Sequence, residues 1–276
     1  MHKNDNHPSL SWYEKVPLEL HGHRKKLDFF SKALKKFSSD RGYGPSDVSI
    51  LEIGCSNGRN VALPLAEKGY QVTGIDLHEP SIFHAKSQGD VFNANFICID
   101  FFDFKSDKLF DVIVLSDILE HVTDPNRVLA LSRQYLRQGG IVLVCIPNGY
   151  GPYEIEQRFL RIFGIDRLIN FVISKLRLVA GRSSERLSDY NYESGHVQFF
   201  HFNDFCKLLF KSGFIINQQA NGALFGGGFS YYLGFLFPFI VPTSLRFANL
   251  LPAKWVLTWY FSLSNKSTNG EAGCVE

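Results

Sequence analysis

Leu51-Glu52-Ile53-Gly54-Cys55-Ser56-Asn57-Gly58 is the stretch on which the reading of this 276-residue chain turns. An apolar, β-branched run from Val48 to Ile53 leads into a turn carrying Gly54 and Gly58. Val61, Leu63, Leu65 and Ala66 follow at helical spacing. Strand, loop, helix is the opening unit of an α/β fold. Glycine at 54 and 58 allows positive φ, or a close ligand approach that a Cβ would obstruct. The amides that open the next helix then face whatever lies over the loop. The spacing Glu-x-Gly-x-Ser-x-Gly is not the G-x-G-x-x-G of dinucleotide sites. Nor is it a phosphate loop, because Arg59-Asn60 stands where a lysine would be needed. An ordinary strand-to-helix turn accounts for this stretch equally well on its own, so the flanking sequence has to decide.

Working outward, Gln71 to Leu77 reads as a second strand that ends at Asp76. Open parallel sheets bind ligands beyond the carboxyl ends of their strands. A carboxylate there can accept both hydroxyls of a ribose; capping of the helix near Pro80 is the alternative. Asn95 to Asp100 reads as a third strand. Asp100 can accept a hydrogen bond from an adenine amine, with Phe101 or Phe102 covering the ring, or it can serve as a cap. Phe110 to Ser116 is a fourth strand and runs into Asp117-Ile118-Leu119-Glu120-His121-Val122-Thr123-Asp124-Pro125. A helix from Arg127 to Leu136, Gly139-Gly140 and a fifth strand from Ile141 to Ile146 follow. Strands alternating with helices in this way predict an open parallel sheet covered by helices on both faces.

The Glu52-x-Gly54-x-x-x-Gly58 loop, Asp76, Asp100, the stretch from Phe110-Asp111 to Asp124-Pro125, and Leu136 with Gly139-Gly140 together resemble the class I S-adenosylmethionine-dependent methyltransferases. They look most like the branch that includes ubiquinone-biosynthesis O-methyltransferases. The resemblance covers Val48 to Asn148 and resumes from Gly195-His196-Val197-Gln198-Phe199-Phe200 to Gly213-Phe214. Ser56 departs from it, standing where glycine is common. The resemblance implies a Rossmann-like, seven-stranded, mostly parallel sheet in the order 3-2-1-4-5-7-6, with S-adenosylmethionine as cofactor. It implies that Glu52, Gly54 and Gly58 shape the methionine end, that Asp76 holds the ribose and that Asp100 reads adenine. The backbone from Ser116 to Ile118 would floor the site. Cys55, Leu77 and Phe101, beside these positions, are expected to share in cofactor binding. The cofactor has no phosphate, in keeping with the missing lysine, and its carboxylate suits a helix amino terminus.

Methyl transfer chiefly requires alignment of the nucleophile and exclusion of water. An oxygen nucleophile also needs its proton removed. His121 and His196 are the candidate catalytic residues, although a structural or surface role suits either histidine, and Glu120 can simply orient His121. Tyr190 and Tyr192 are weaker candidates. The expected activity is O-methylation of a small or lipid-linked acceptor. A non-catalytic cofactor-binding regulator and a nicotinamide-dependent oxidoreductase are the alternative classes.

The formal charge of +2, without a polybasic tract, gives no nucleic-acid footprint. The five cysteines are scattered without C-x-x-C pairs, which suits a reduced, cytoplasmic setting and predicts no zinc or other metal site. Residues 1–47 form a predicted basic, amphipathic helical region, either packed on the sheet or acting as a lid. Residues 48–265 make the methyltransferase domain, with a helical insertion at 149–194 and an apolar one at about 222–252. Residues 157–182 are basic and amphipathic, and 212–245 carry no charge. Gly226-Gly227-Gly228, Pro238 and Pro242 interrupt the apolar run, so it predicts peripheral membrane contact through 157–182 and 222–245 rather than a span. A seventh strand is predicted at Lys254 to Leu263, and 266–276 as a flexible tail.

Overall fold

The computed structural model describes residues 22–92, 94–164, 195–224 and 240–266. Seven strands form one sheet in the order β3-β2-β1-β4-β5-β7-β6. They are β1 (Ser49–Ile53), β2 (Gln71–Asp76), β3 (Asn95–Cys98), β4 (Phe110–Ser116), β5 (Leu136–Pro147), β6 (Phe214–Asn221) and β7 (Thr258–Asn265). The first five pair in parallel, and β7 runs antiparallel between β5 and β6. This is the predicted order. The helices are α1 (His23–Ser39), α2 (Ala62–Glu67), α3 (Glu79–Phe92), α4 (Pro125–Tyr135), α5 (Pro152–Ile162), α6 (Phe202–Lys211) and α7 (Ile240–Phe247).

Alternation along the strands separates two cores. Ile50, Val112, Val114, Leu143 and Tyr260 pack on one face with Phe30 and Leu34 of α1, Leu65 of α2 and Ile82 of α3. Leu51, Ile113, Val144, Trp259 and Phe261 pack on the other with Leu129 of α4 and Phe205 of α6. Both faces are buried, so the central strands read as unbroken apolar runs rather than alternating ones. Each such side chain contributes about 1.5–3 kcal/mol on burial.

α1 therefore belongs to the same packed unit as the sheet, and the boundary read at residue 47 falls inside it. Its apolar stripe of Leu27, Phe30, Ala33, Leu34 and Phe37 is buried. The Lys25 ammonium donates to the carbonyls of Gly222 (3.0 Å) and Leu245 (2.8 Å), tying α1 to the segments around the apolar insertion.

Several strand bounds differ from the sequence reading, most at β5, which begins at Leu136, read as the end of the preceding helix, rather than at Ile141. β3 stops at Cys98, and Asp100 opens a turn in which its Oδ1 accepts the Phe102 amide at 2.8 Å. β7 starts at Thr258 rather than Lys254, because Ala253–Trp255 forms a 3-10 turn. There Nδ2 of the Asn148 side chain donates to the carbonyls of Lys254 (3.2 Å) and Val256 (2.8 Å), replacing ladder bonds. Tyr190, Tyr192, most of the basic helix read at 157–182, the centre of the apolar insertion and most of the tail lie outside the described residues. Among the described residues no helix is long and apolar enough to cross a membrane.

Candidate active site

A cavity of about 330 Å³ opens at the carboxyl ends of β1 to β4. Glu52, Gly54, Cys55, Asp76, Leu77, Asp100, Phe101 and Ser116 all line it, together with Ser56, Asn60, Phe102, Asp117, Ile118 and His121. Gly54 has φ of 74°, and a Cβ there would lie 2.7 Å from Cδ1 of Ile118. The glycine thus lets the loop after β1 and the loop after β4 close the floor together. Gly58 also has positive φ but does not line the cavity; a Cβ there would meet the Phe96 ring at 2.8 Å. Its glycine serves loop packing.

The carboxylates of the cavity are held differently. Asp76 accepts the Ser56 amide on Oδ2 and the His78 amide on Oδ1, both at 2.8 Å. These bonds fix the carboxylate at the strand end and leave each oxygen a further lone pair. Glu52 is buried, and its Oε2 has no hydrogen-bond partner among the described residues. Burial pushes its pKa up to about 8. A buried acceptor left open at a cavity wall suits a ligand that brings a donor.

At Asp117 the chain turns sharply, with φ of 55°. Lys26 of α1 reaches into this turn. Its ammonium donates to Asp117 Oδ2 at 2.7 Å and to Ser116 Oγ at 2.9 Å, while the Cys145 thiol donates to Asp117 Oδ1 at 3.0 Å. Lys26 is 2% exposed. Burial opposes its charge, but the Asp117 carboxylate beside it prevails and holds the ammonium protonated. The Asp117 pKa is in turn lowered, because Lys26 outweighs the burial of the carboxylate. Lys26 is one of the basic residues of the amphipathic region 1–47, but it lies on the buried face of α1. The signal was its spacing, since 26, 30, 33 and 37 share one helical face.

A second cavity of about 230 Å³ adjoins the first and shares Asp117 and His121 with it. Gly22, His23, Lys26, Glu120, Cys145, Pro147, His196, Thr258 and Tyr260 complete its wall. The amides of Val197 and Gln198 donate to the Glu120 carbonyl at 2.8 and 2.9 Å, which pins the loop carrying His196 to the turn after β4. The two candidate histidines accordingly meet, their ring centroids 5.1 Å apart. Burial pushes the pKa of His121 down, which favours the neutral imidazole. Burial also drives the Glu120 carboxyl well above the usual range. Spacing along the chain gave no hint that Glu120, His121 and His196 converge.

A family described as a methyltransferase domain matches residues 20–219, well over half of the chain. Among curated relatives, the ubiquinone biosynthesis O-methyltransferase of Rickettsia canadensis (strain McKiel) is 31% identical over 107 residues, 37% of this chain and 44% of that protein. The protein of the same name from Idiomarina loihiensis is 34% identical over 103 residues, 36% of this chain and 42% of that one. The matched stretch spans less than half the length of these relatives. Two solved structures share the fold. The plantazolicin methyltransferase BpumL, in complex with a triazolic desmethylPZN analog and SAH, has a TM-score of 0.53 at 19% identity, covering 92% of this chain and 88% of its own. An S-adenosylmethionine-dependent methyltransferase from Clostridium acetobutylicum ATCC 824 has a TM-score of 0.54 at 12% identity, covering 88% and 92%. With the strand order, the glycine turn after β1 and the acidic strand ends, the match over 20–219 leads to one conclusion: this chain belongs to the methyltransferase domain family.

Proposed function

We propose that the protein is an S-adenosylmethionine-dependent methyltransferase that transfers a methyl group to an oxygen of a small or lipid-linked acceptor. The observation that carries this reading is the pair of adjoining cavities that meet at Asp117 and His121. The residues of the first fit the cofactor: the open Oε2 of Glu52, the Asp76 carboxylate fixed at the end of β2, Asp100 beyond β3, and Leu77 and Phe102 as apolar surface. When bound, S-adenosylmethionine supplies an electrophilic methyl group. Asp76 takes the ribose, Asp100 the adenine edge, and Glu52 with the Gly54 turn the amino-acid end.

The second cavity takes the acceptor. Lys26 holds Asp117 and Ser116 in place at the junction, which keeps the floor between the two ligands fixed. Removal of the acceptor's proton falls to the wall formed by His121 and His196. The names of the curated relatives favour oxygen as the accepting atom. An acceptor at a membrane surface is supported by the uncharged run 212–245 and by Ile155, Phe159, Ile162 and Phe163, all exposed around α5. On this reading the protein is a cytoplasmic enzyme with peripheral membrane contact, and co-sedimentation with anionic vesicles checks that part alone.

Calorimetric titration with S-adenosylhomocysteine tests the cofactor assignment. Wild type binds, and Asp76→Ala loses about 1.5–3 kcal/mol, roughly ten- to a hundredfold in affinity. A folded wild-type protein that shows no binding overturns the proposal.

A further inference from the structure

The connections from β1 to β2, from β2 to β3 and from β4 to β5 contain the helices α2, α3 and α4, whereas residues 99–109 between β3 and β4 contain none. This crossover lies on the sheet face of Leu51 and Ile113, because its Phe101 and Phe104 are buried in that core. α3 packs on the other face through Ile82. The amino-terminal halves of β2 and β3 are therefore left without a helix on the crossover's side. Strand alternation turns Gln71 and Thr73 of β2, with Asn95 and Ile97 of β3, toward that gap.

A third cavity, of about 650 Å³, fills the gap at the opposite end of the strands from the cofactor cavity. Its size lies within the range of small-molecule sites. Tyr70, Phe92, Ile97, Phe104 and Phe110 give it an apolar, largely aromatic wall. Lys105 and Lys108 stand at its rim, and no carboxylate lines it among the described residues. Neither ammonium has an ion-pair partner among the described residues. Ser106 Oγ accepts the Lys108 amide at 3.1 Å, which fixes the turn between the two lysines, and Lys108 Nζ sits 5.6 Å from the centroid of the Phe110 ring. An aromatic hollow with uncommitted cations at its mouth matches an organic anion. The apolar body packs on the rings, and the charged group takes the lysines, with Thr73 and Asn95 as further donors.

The crossover also joins this cavity to the first. Asp100, Phe101 and Phe102 line the cofactor cavity, and Phe104, Lys105, Ser106 and Lys108 line the third. A single turn links the two sets, since the amides of Asp103 and Phe104 both donate to the Asp100 carbonyl at 3.0 Å. The Tyr135 hydroxyl donates to the Phe104 carbonyl and anchors that turn to α4. We propose that the third cavity is an effector site for a small organic anion with an apolar body, and that the anion alters ligand affinity in the first cavity through the crossover 99–109. The inference goes beyond the proposed reaction; only the identity of the coupled ligand rests on that reading.

The probe is naphthyl phosphate, with naphthol as its neutral counterpart, titrated by calorimetry into cofactor-free protein. One molecule of the phosphate per chain is expected, with naphthol bound about ten- to a hundredfold more weakly. Lys105→Gln combined with Lys108→Gln should weaken the phosphate about tenfold, because both charge-assisted contacts go. Asn95→Trp should abolish binding by filling the cavity while leaving both lysines in place. Thermal unfolding shows which variants are folded, and if Asn95→Trp is not, the lysine variant carries the test. The phosphate should also slow amide exchange at residues 100–104 in wild type and shift S-adenosylhomocysteine affinity by about fivefold or more. Wild-type protein that fails to bind the phosphate below millimolar concentration overturns the proposal, as does binding that either folded variant leaves unchanged. Exchange at 100–104 that the bound phosphate does not alter overturns the coupling. Protection there without any S-adenosylhomocysteine binding counts against the cofactor reading and leaves the effector site standing.

Discussion

The first cavity takes most of its wall from successive strand ends between residues 52 and 128, whereas the second gathers residues 22–26, 117–121, 145–147, 196 and 258–260. In the first, the carboxylate of Asp76 is held by backbone amides close to the loop it serves. In the second, charge is settled between distant elements, with Lys26 of α1 against Asp117 after β4. Local hydrogen bonds fix where a ligand sits. Long-range ion pairs also fix how the helices and strands sit, so they couple the site to the stability of the fold.

The largest expected effect comes from breaking that coupling. Asp117→Asn leaves the Lys26 ammonium buried without its counter-charge, which costs about 3–5 kcal/mol. Thermal and urea unfolding should show the loss, and Lys26→Met combined with Asp117→Asn should recover most of it, because the uncompensated charge is gone. If Asp117→Asn unfolds like wild type, the ion pair is not what joins α1 to the site, and the contrast between the cavities falls.

Legibility in the sequence followed the same division. The strands, the glycine turn, Asp76 and Asp100 could be found because strand periodicity and loop chemistry are local; the sheet order came only with the family resemblance that these motifs carry. Gly58 was placed in the ligand site because its spacing matches the turn; only the Phe96 ring packed against it reveals another use. Lys26 was missed because a lysine beside Arg24 and Lys25 reads as solvated, although its helical register puts it on the buried face. His196 was found, but its meeting with Glu120 and His121 depends on the two amides donated to the Glu120 carbonyl. Such long-range bonds leave no mark in spacing.

Glu52 sharpens the comparison through pH. Its pKa is raised by burial from 4.5 to about 8. The fold therefore favours the protonated carboxyl. The associated stability is fully present below about pH 4.5 and is lost as the pH rises through about 8. Between these values one extra proton on the folded state makes stability fall by up to about 1.4 kcal/mol per pH unit. Cofactor-free Glu52→Gln should lose that component of the slope, read as melting temperature from pH 5 to 8 for the variant and wild type. Equal slopes would mean that Glu52 is ionised through interactions with its surroundings, and that it does not await a donor from the ligand.

The smallest effect separates the two cavities most directly, because each holds a non-glycine residue at positive φ: Ser56 at 48° in the first and Asp117 at 55° where they meet. The left-handed region costs an L-residue about 1–2 kcal/mol, and glycine gives back roughly 0.5–1 kcal/mol in chain entropy. Ser56 contributes its amide to Asp76, which glycine retains, and a long hydroxyl contact to Ser81 at 3.4 Å, which it does not. Ser56→Gly should therefore be neutral or stabilising by up to about 1 kcal/mol, a rise of roughly 2–4 °C at most. Asp117→Gly relieves the same backbone strain but strands the Lys26 ammonium in the interior, so it should destabilise. Loss of stability in both variants would show that the Ser56 side chain is used in the cofactor cavity. Stability in both would show that Lys26 tolerates burial without Asp117.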